Sequence, residues 1–347
     1  MISRKLAAAA AILFAPFAIA APYASPKPLP AAIVFAPGEI STADDESHPT
    51  FSPDGATLYF LKNSPTFDHW TIVTSRYANG HWRTPVVEPY SGRYNDADVF
   101  FDKDGSMFFI SNRPVDGKPR SDSEIWVRRK TAGGWAEPEH IAELSSPGYE
   151  WFPTVADDGT LYFGSGREED NVHPGTTDLY RSRFVDGRYT KPENLGPTIN
   201  TAGSDTEAWI APDQSYIVFS SNGYADTRGA DDIYVALRNG SGWTKPKNLG
   251  DAVNSAGSEY GAKPSPDGKY LFFCSNRGFS DKPLDHRLDY AELTAKLHSP
   301  GNGLNDIYEV DIDVLGLKHP DPSLEAVSTS GQHPGPSDFG RKSEPKE

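Results

Sequence analysis

The sequence predicts an all-β protein built from one supersecondary unit that is repeated five times. Its apolar runs are short and rich in Phe, Tyr, Ile and Val, and they are separated by abundant Gly and Pro. Such runs between turn-forming residues are typical of strands. The same pattern also recurs along the chain, which indicates a repeat architecture.

Each repeat contains a tight turn followed by an aromatic strand. The turns read Pro-Asp-Gly or a close variant, with their aspartates at Asp54, Asp104, Asp158, Asp213 and Asp267. In such turns Asp bonds the backbone and Gly accepts a positive φ. The period, about 50 to 55 residues, is in the range of β-propeller blades.

Four strands can be assigned to each repeat. The first ends at the turn, the aromatic run is the second, and the third begins with segments such as Glu124-Ile125-Trp126. An outer strand is opened by segments such as Trp82-Arg83-Thr84-Pro85, because an edge strand tolerates Pro on its free side. Four strands per repeat predict a β-propeller.

Closure of the ring sets the number of blades. The fifth repeat lacks an outer strand after Asp311, whereas residues 31–38 precede the first repeat in the position of an outer strand. We expect this N-terminal strand to complete the last blade and so to hide two sheet edges. The prediction is a single propeller of five four-stranded blades over residues 31–320, with six blades as the alternative. Residues 278–305 form an insertion with a short helix over Leu284 to Leu297.

The two ends of the chain are predicted to lie outside the propeller. Residues 1–20 read as a secretory signal peptide cleaved near Ala20, because Arg4 and Lys5 precede a short apolar stretch and small residues. Residues 21–30 would be a linker, and the polar residues 321–347 a disordered tail. We expect a periplasmic or secreted monomer that does not insert into a membrane after cleavage.

Composition narrows the classes of partner and of catalytic site. A formal net charge of −15 argues against nucleic acid and anionic lipid, and is compatible with peptides, glycans, cations or basic proteins. The single cysteine, Cys274, lies in an apolar run and is predicted to be a buried hydrophobe. The sequence has no Gly-x-Ser-x-Gly, His-Glu-x-x-His or phosphate-loop motif.

The repeat resembles that of a known family, and the fifth repeat shows the resemblance most fully. Ser265-Pro266-Asp267-Gly268, the following Leu-Phe-Phe and Ser-Asn-Arg, and then Asp306-Ile307-Tyr308 resemble the TolB-type, WD-like propeller repeat of bacterial periplasmic proteins. The resemblance covers about residues 31–320 and implies a protein-interaction platform. The chain departs from TolB, which has six blades and an additional N-terminal domain.

An acid stands eight residues before each turn aspartate, at Glu46, Asp96, Glu150, Asp205 and Glu259. These acids begin the inner strands, so they are predicted to form a carboxylate ring near the mouth of the central channel. The first interpretation is structural: because the acid occurs in every blade, it would help to build the blade by accepting hydrogen bonds from backbone N–H groups of the neighbouring loop. A calcium or magnesium site with oxygen ligands is the second interpretation, although no cofactor is required. Catalysis is the third.

A second repeated pattern combines arginines and acids. Arg113, Arg167 and Arg277 follow the second strands of three blades, and acids open the third strands of the same blades, at Glu124, Asp178 and Asp306. We predict a structural arginine–carboxylate pair within each of these blades.

Residues that occur in a single blade indicate function more directly, because repetition does not explain them. Those near the predicted ring are His48, Asp98, Trp151, Phe152, Glu207, Trp209 and Lys263. Trp151 and Trp209 suit stacking on sugars or peptide side chains, or packing between blades. His48 suits a metal ligand or a base.

Two hypotheses of function follow. The main one is a non-catalytic binding module for envelope proteins, peptides or cell-wall fragments. Its predicted ligand-binding residues are Glu46, His48, Asp96, Asp98, Glu150, Trp151, Asp205, Glu207, Trp209 and Glu259. The alternative is a glycan-active enzyme, a glycosidase or lyase, with Glu46, Glu150 and Glu259 as catalytic candidates and Asp96 and Asp205 in support. This alternative rests on fold analogy.

Overall fold

Five antiparallel sheets form the blades of a β-propeller in the computed structural model, which describes residues 21–317. The five-bladed prediction is confirmed, and the six-bladed alternative is wrong. The predicted signal peptide, the tail and residues 318–320 lie outside the described residues. Within residues 21–317, no helix is long and apolar enough to cross a membrane.

The strands follow one another blade by blade along the chain. Strand β1 is Ile33–Val34. Blade 1 contains β2 (Asp45–Phe51), β3 (Thr57–Asn63), β4 (Trp70–Ala78), β5 (His81–Trp82) and β6 (Val86–Val87). Blade 2 contains β7 (Asp96–Phe101), β8 (Met107–Ser111), β9 (Glu124–Arg128), β10 (Lys130–Thr131), β11 (Gly134–Trp135) and β12 (Glu139–His140).

The remaining blades repeat this order. Blade 3 contains β13 (Glu150–Val155), β14 (Leu161–Ser165), β15 (Asp178–Ser182), β16 (Phe184–Val185), β17 (Arg188–Tyr189) and β18 (Glu193–Asn194). Blade 4 contains β19 (Asp205–Ile210), β20 (Tyr216–Ser221), β21 (Asp232–Asn239), β22 (Gly242–Trp243) and β23 (Lys247–Asn248). Blade 5 contains β24 (Glu259–Pro264), β25 (Tyr270–Ser275) and β26 (Asp306–Asp311), with helix α1 (Tyr290–Leu297) before β26.

Strand β1 completes the last blade, as the sequence predicted. It pairs antiparallel with β26, so that Ile33 lies opposite Glu309 and Val34 opposite Tyr308. The next residue, Phe35, donates its backbone N–H to the carbonyl oxygen of Ile307 at 2.8 Å. The edge that β26 would otherwise expose is therefore covered by the start of the chain.

The outer strands are shorter than predicted. Trp82 does not open the outer strand; it lies in β5, which forms a hairpin with the end of β4. The outer strand β6 begins only after Pro85 and pairs with the middle of β4. Proline has no N–H to donate, so it separates the hairpin from the outer strand.

The predicted helix in the insertion is also shorter. It begins at Tyr290, because Asp289 caps it: the Asp289 carboxylate accepts a hydrogen bond from Glu292 N, and the Glu292 carboxylate accepts one from Asp289 N. The segment from Leu284 to Asp289 is not helical.

Aromatic second strands fill the space between the blades. The third residue of the aromatic run is fully buried in all five blades, at Phe60, Phe109, Phe163, Phe219 and Phe273. Phe35, which follows the closing strand, is also buried and packs against the rings of Phe51, Trp82 and Phe272. The closing segment is therefore held by apolar packing as well as by strand pairing.

Replacing Phe35 with alanine tests this closure. We expect the Phe35→Ala variant to lose about 3–5 kcal/mol of unfolding free energy, because a buried aromatic side chain leaves a cavity. The measurement is urea denaturation. The control, Ile33→Ala on the same strand, removes a side chain that is 45% exposed and should change stability by less than about 0.5 kcal/mol. Equal losses in both variants would contradict the packing role of Phe35.

Candidate functional site

The five repeated acids are fully buried and bond within their own blades. Most accept hydrogen bonds from a Ser or Thr of the preceding loop. The partners are Thr42 and Lys62 for Glu46, Arg113 for Asp96, Ser146, Ser165 and Arg167 for Glu150, Thr201 and Ser221 for Asp205, and Ser255, Ser275 and Arg277 for Glu259. These acids hydrogen-bond the inner strands to the preceding loops, which agrees with the first, structural interpretation of the repeated acids.

This arrangement removes the ring from the candidate site. Glu46, Glu150 and Glu259 line neither of the two axial cavities described below, so they are unsuited to catalysis there. Among residues 21–317, no group of three or more His, Cys, Asp or Glu side chains is placed to hold a metal ion. The predicted calcium or magnesium site at the ring therefore gains no support.

The arginine pairs form within three blades, but with different acids from those predicted. Arg113, Arg167 and Arg277 contact the inner-strand acids Asp96, Glu150 and Glu259 at 2.7, 3.4 and 3.2 Å. Each arginine Nε donates to the serine at the end of its second strand, and Nη2 donates to a loop carbonyl. These bonds turn the guanidinium toward the inner strand and away from Glu124, Asp178 and Asp306.

A β-bulge interrupts every inner strand just after the repeated acid. One residue of each bulge has a positive φ: His48 (53°), Asp98 (60°), Phe152 (47°), Glu207 (55°) and Gly261 (68°). For a non-glycine residue this conformation costs of order 1–3 kcal/mol and clusters at functional sites. The bulge residues of four blades therefore carry a strain that strand pairing alone would not require.

The strained residues meet at the axis of the propeller. His48 Nε2 lies 3.1 Å from Glu207 Oε1 and 3.4 Å from Asp98 Oδ1. Asp98 Oδ2 accepts a hydrogen bond from the backbone N–H of Phe152 at 2.9 Å. Gly261 lies beside this cluster: a Cβ at position 261 would be 3.1 Å from Cys274 Sγ, which is a tight contact, and 3.5 Å from His48 Cδ2, which is ordinary van der Waals contact. Three blades thus place one histidine between two carboxylates.

Two oxygens of this cluster accept no hydrogen bond. Asp98 Oδ1 and Glu207 Oε2 are buried and have no hydrogen-bond partner among the described residues, although Asp98 Oδ1 lies within ion-pair distance of His48 Nε2. A buried carboxylate oxygen without a hydrogen bond is costly, and such groups in native proteins often mark catalytic or binding sites.

Burial and charge oppose each other in the cluster. Burial lowers the pKa of His48, but the charges of Asp98 and Glu207 and the hydrogen bond to Glu207 raise it more, so its pKa is raised overall. Burial also raises the pKa of Glu207, although His48 opposes this. Lys263, behind the cluster, has its pKa lowered to about 8 by burial. The pKa of Glu207 is therefore shifted in the direction that favours the protonated carboxyl group.

A cavity of about 480 Å³ opens above the cluster, at the end where the inner strands begin. Besides His48, Asp98 and Glu207, its walls include the aromatic residues Phe67, Trp70, Trp151 and Tyr260 and the polar residues Asp45, Asp231, Ser258, Asn276 and Asn305. Trp151 contacts Trp70 at 5.6 Å and stacks on Tyr149 at 5.3 Å between ring centroids. Among the described lining residues there is no Lys or Arg. We call this space the acidic cavity.

A second cavity of about 530 Å³ lies at the other ends of the inner strands. Trp209 and Lys263 line it, and they do not line the acidic cavity. The prediction that Trp151 and Trp209 serve one site is therefore wrong. The cause is the bulge, since Trp151 precedes it in β13 and Trp209 follows it in β19.

Sequence reasoning identified His48, Asp98, Glu207 and Trp151 but missed other walls of the acidic cavity. Trp70, Asp231 and Asn305 stand at or beside the starts of third strands, and Tyr260 follows a repeated acid. A comparison of the blades position by position would have shown Trp70 and Tyr260 as departures from the repeat.

No family model matches the sequence, and no curated protein matches it. The resemblance to TolB-type repeats therefore stays a prediction. Similar solved structures include a gluconolactonase of Xanthomonas campestris, at 12% identity and TM-score 0.42, with 81% of this chain and 89% of that chain covered. They also include the catalytic domain of a Coprinopsis cinerea GH62 α-L-arabinofuranosidase, at 9% identity and TM-score 0.44, with 77% of this chain and 90% of that chain covered. A third is a Bacteroides ovatus xyloglucan GH43 protein, at 13% identity and TM-score 0.42, with 72% of this chain and 51% of that chain covered.

These findings correct the main hypothesis of function. The similar solved structures bear the names of enzymes, among them a gluconolactonase and an α-L-arabinofuranosidase, so the non-catalytic binding module is given up and the glycan-active alternative is taken up below as a proposal. Because every TM-score is below 0.5, no residue role is transferred from these enzymes to this chain.

The buried carboxyl groups predict that stability falls with rising pH. Burial raises the pKa of Asp205 to about 6, of Asp306 and Glu309 to about 7 and of Glu150 to about 8. In an unfolded chain these groups ionise near pH 4. The folded state therefore binds more protons between about pH 4 and pH 8, and the unfolding free energy decreases through that window.

We expect the Tm measured by differential scanning calorimetry to be higher at pH 5 than at pH 8. The Glu150→Gln variant, which has one such group fewer, should show a smaller difference. Glu137→Gln, which changes an exposed carboxylate, is the control and should behave like the parent protein. A Tm that rises from pH 5 to pH 8 would contradict the assignment.

Proposed function

We propose that the protein is a glycan-active enzyme that cleaves a glycosidic bond in the acidic cavity. The observation that carries the proposal is the pair of buried carboxylates, Asp98 and Glu207. Each has an oxygen that accepts no hydrogen bond among the described residues, and both line an aromatic-walled cavity. Glycosidases use two carboxyl groups on either side of the bond that is broken.

The surroundings of the two carboxyl groups suggest different roles. Glu207 has a raised pKa, so it is the general acid that gives its proton to the glycosidic oxygen. Asp98, fixed by the N–H of Phe152, is the second carboxylate, which acts on water as a base or attacks the anomeric carbon. His48 contacts both groups and is a positioning residue. Glu46, Glu150 and Glu259 have no part in this mechanism.

The walls of the acidic cavity suit a sugar. Trp70 and Trp151 offer flat apolar surfaces for the face of a pyranose ring. Ser258, Asn276 and Asn305 offer polar groups for hydroxyls, and the cavity volume lies within the usual range for small-ligand sites.

The charge of the cavity restricts the class of sugar. Asp45, Asp98, Glu207 and Asp231 line it, and among its described lining residues His48 is the basic side chain that joins them. Uronic, sialic or sulfated sugars would place further negative charge beside these carboxylates. Neutral or amino sugars are therefore the proposed substrates.

The catalytic pair is tested by substitution. We expect Glu207→Gln and Asp98→Asn each to reduce kcat by at least about 100-fold, because each removes an acid or base group. The assay measures reducing-end release from a panel of neutral and amino oligosaccharides.

The matched control is Glu137→Gln, an exposed carboxylate at the edge of the propeller that should keep parental activity. Failure of the parent protein to cleave any oligosaccharide in the panel would overturn the proposal. Full activity of Glu207→Gln would overturn the assignment of the acid.

Substrate charge is tested by binding to the Glu207→Gln variant, which should hold its ligand without cleaving it. We expect glucosamine oligomers to bind at least about tenfold more tightly than galacturonate oligomers, because like charges repel in the acidic cavity. Isothermal titration calorimetry measures both. In the Asp231→Asn background the difference should shrink, and equal affinity in the Glu207→Gln variant would contradict the proposed class of sugar.

A further inference from the structure

The cavity that opposes the acidic cavity has different walls. Its lining includes Phe100, Phe101, Trp209 and Tyr216 together with prolines from the inner-strand ends and turns, at Pro49, Pro53, Pro212, Pro264 and Pro266. Trp209 and Tyr216 lie with their ring centroids 5.6 Å apart. Such walls are flat, apolar and rigid. We call this space the aromatic cavity.

A buried lysine contributes to the lining of the aromatic cavity. Lys263 is only 5% exposed, and its Nζ donates hydrogen bonds of 2.7 Å to Thr50 Oγ1 and to the carbonyl oxygen of Val99. It also lies 4.2 Å from the centre of the Phe152 ring. A lysine ammonium carries three protons, and these hydrogen bonds account for two of them.

The fold does not require a lysine at this position. The residue after the bulge that resumes pairing with the second strand is Thr50, Phe100, Thr154, Trp209 or Lys263 in the five blades. Thr154 makes the equivalent contact to a neighbouring blade with a hydroxyl, which donates to the carbonyl oxygen of Ala208 at 2.8 Å. A neutral side chain is therefore sufficient to join two blades here.

Other charged residues, Asp102, Lys103 and Asp157, also line the aromatic cavity. The Asp102 carboxylate accepts hydrogen bonds from Asp104 N and Ser106 N in its own turn. Lys103 is exposed, and its Nζ donates to the backbone carbonyl oxygen of Asp157. Asp98 and Glu207, which stabilise the charge of Lys263, line the acidic cavity instead. Among the described lining residues, Lys263 is therefore the buried cation that a ligand in the aromatic cavity can approach.

We propose that the aromatic cavity is a second ligand site, which binds a small organic acid with a flat apolar body. The carboxylate of the ligand accepts the remaining proton of the Lys263 ammonium, and its ring system packs against Trp209 and Phe100. A buried cation at the floor of an apolar cavity selects an anion over a neutral molecule of the same shape. The site is separate from the proposed glycan cleavage and does not depend on it.

The test uses two probes of one shape, 2-naphthoate and its uncharged amide 2-naphthamide, titrated calorimetrically into the full chain. We expect the acid to bind at least about tenfold more tightly than the amide, which is the contribution of a charge-assisted hydrogen bond. Lys263→Met should remove this preference, and Lys263→Arg should keep it. Trp209→Ala should weaken both probes, whereas Trp70→Ala, in the acidic cavity, should weaken neither.

Three results would overturn the second site. They are the absence of naphthoate binding at millimolar concentration, equal affinity for the acid and the amide, and an unchanged preference in Lys263→Met. If Lys263→Met does not fold, the affinities of the parent protein and of Lys263→Arg for the acid and the amide still test the proposal. Weaker oligosaccharide binding in Trp70→Ala with unchanged naphthoate binding would show that the two sites are distinct.

Discussion

The β-bulge in each inner strand is the constraint on which the centre of the protein depends. It places a left-handed residue at the same level of every blade, and the side chains of His48, Asp98, Phe152 and Glu207 then meet at the axis. Strand pairing supplies the backbone bonds on both sides of the bulge, so the surrounding sheet sustains the local cost. The fifth blade has Gly261 at this position, where a Cβ would lie 3.1 Å from Cys274 Sγ.

The two axial cavities are lined by different charged residues. The carboxylates of Asp98 and Glu207 line one cavity, Lys263 lines the other, and His48 and Phe152 lie between them. Because the inner strands run the length of the channel, one set of five strands presents two separate environments. Aromatic residues line both cavities. The acidic cavity has no Lys or Arg among its described lining residues, whereas the aromatic cavity has two lysines and two aspartates, and its buried charged residue is Lys263.

The fold could be predicted from the sequence because its determinants are local and repeated: a turn, an aromatic run and a recurring acid. The same repetition misled the prediction of the site. Glu46, Glu150 and Glu259 recur because every inner strand must be bonded to its loop. His48 and Asp98 stood out because no repeat explains them. The bulges were not predicted, because the residue with a positive φ is a glycine in only one blade and His, Asp, Phe or Glu in the others. Without the bulges, Trp151 and Trp209 were not assigned to opposite ends of the inner strands.

The pairing of β1 with β26 has a consequence for how the chain folds during synthesis. Strand β1 can pair with β26 only after β26 has been synthesised, so the ring of blades stays open until Asp311 has left the ribosome. During that time the edges of the first and last sheets lack their partners, and contacts between distant parts of the chain are slow to form. Nascent chains of this protein are thus exposed to mispairing between molecules until β26 has been synthesised and has paired with β1.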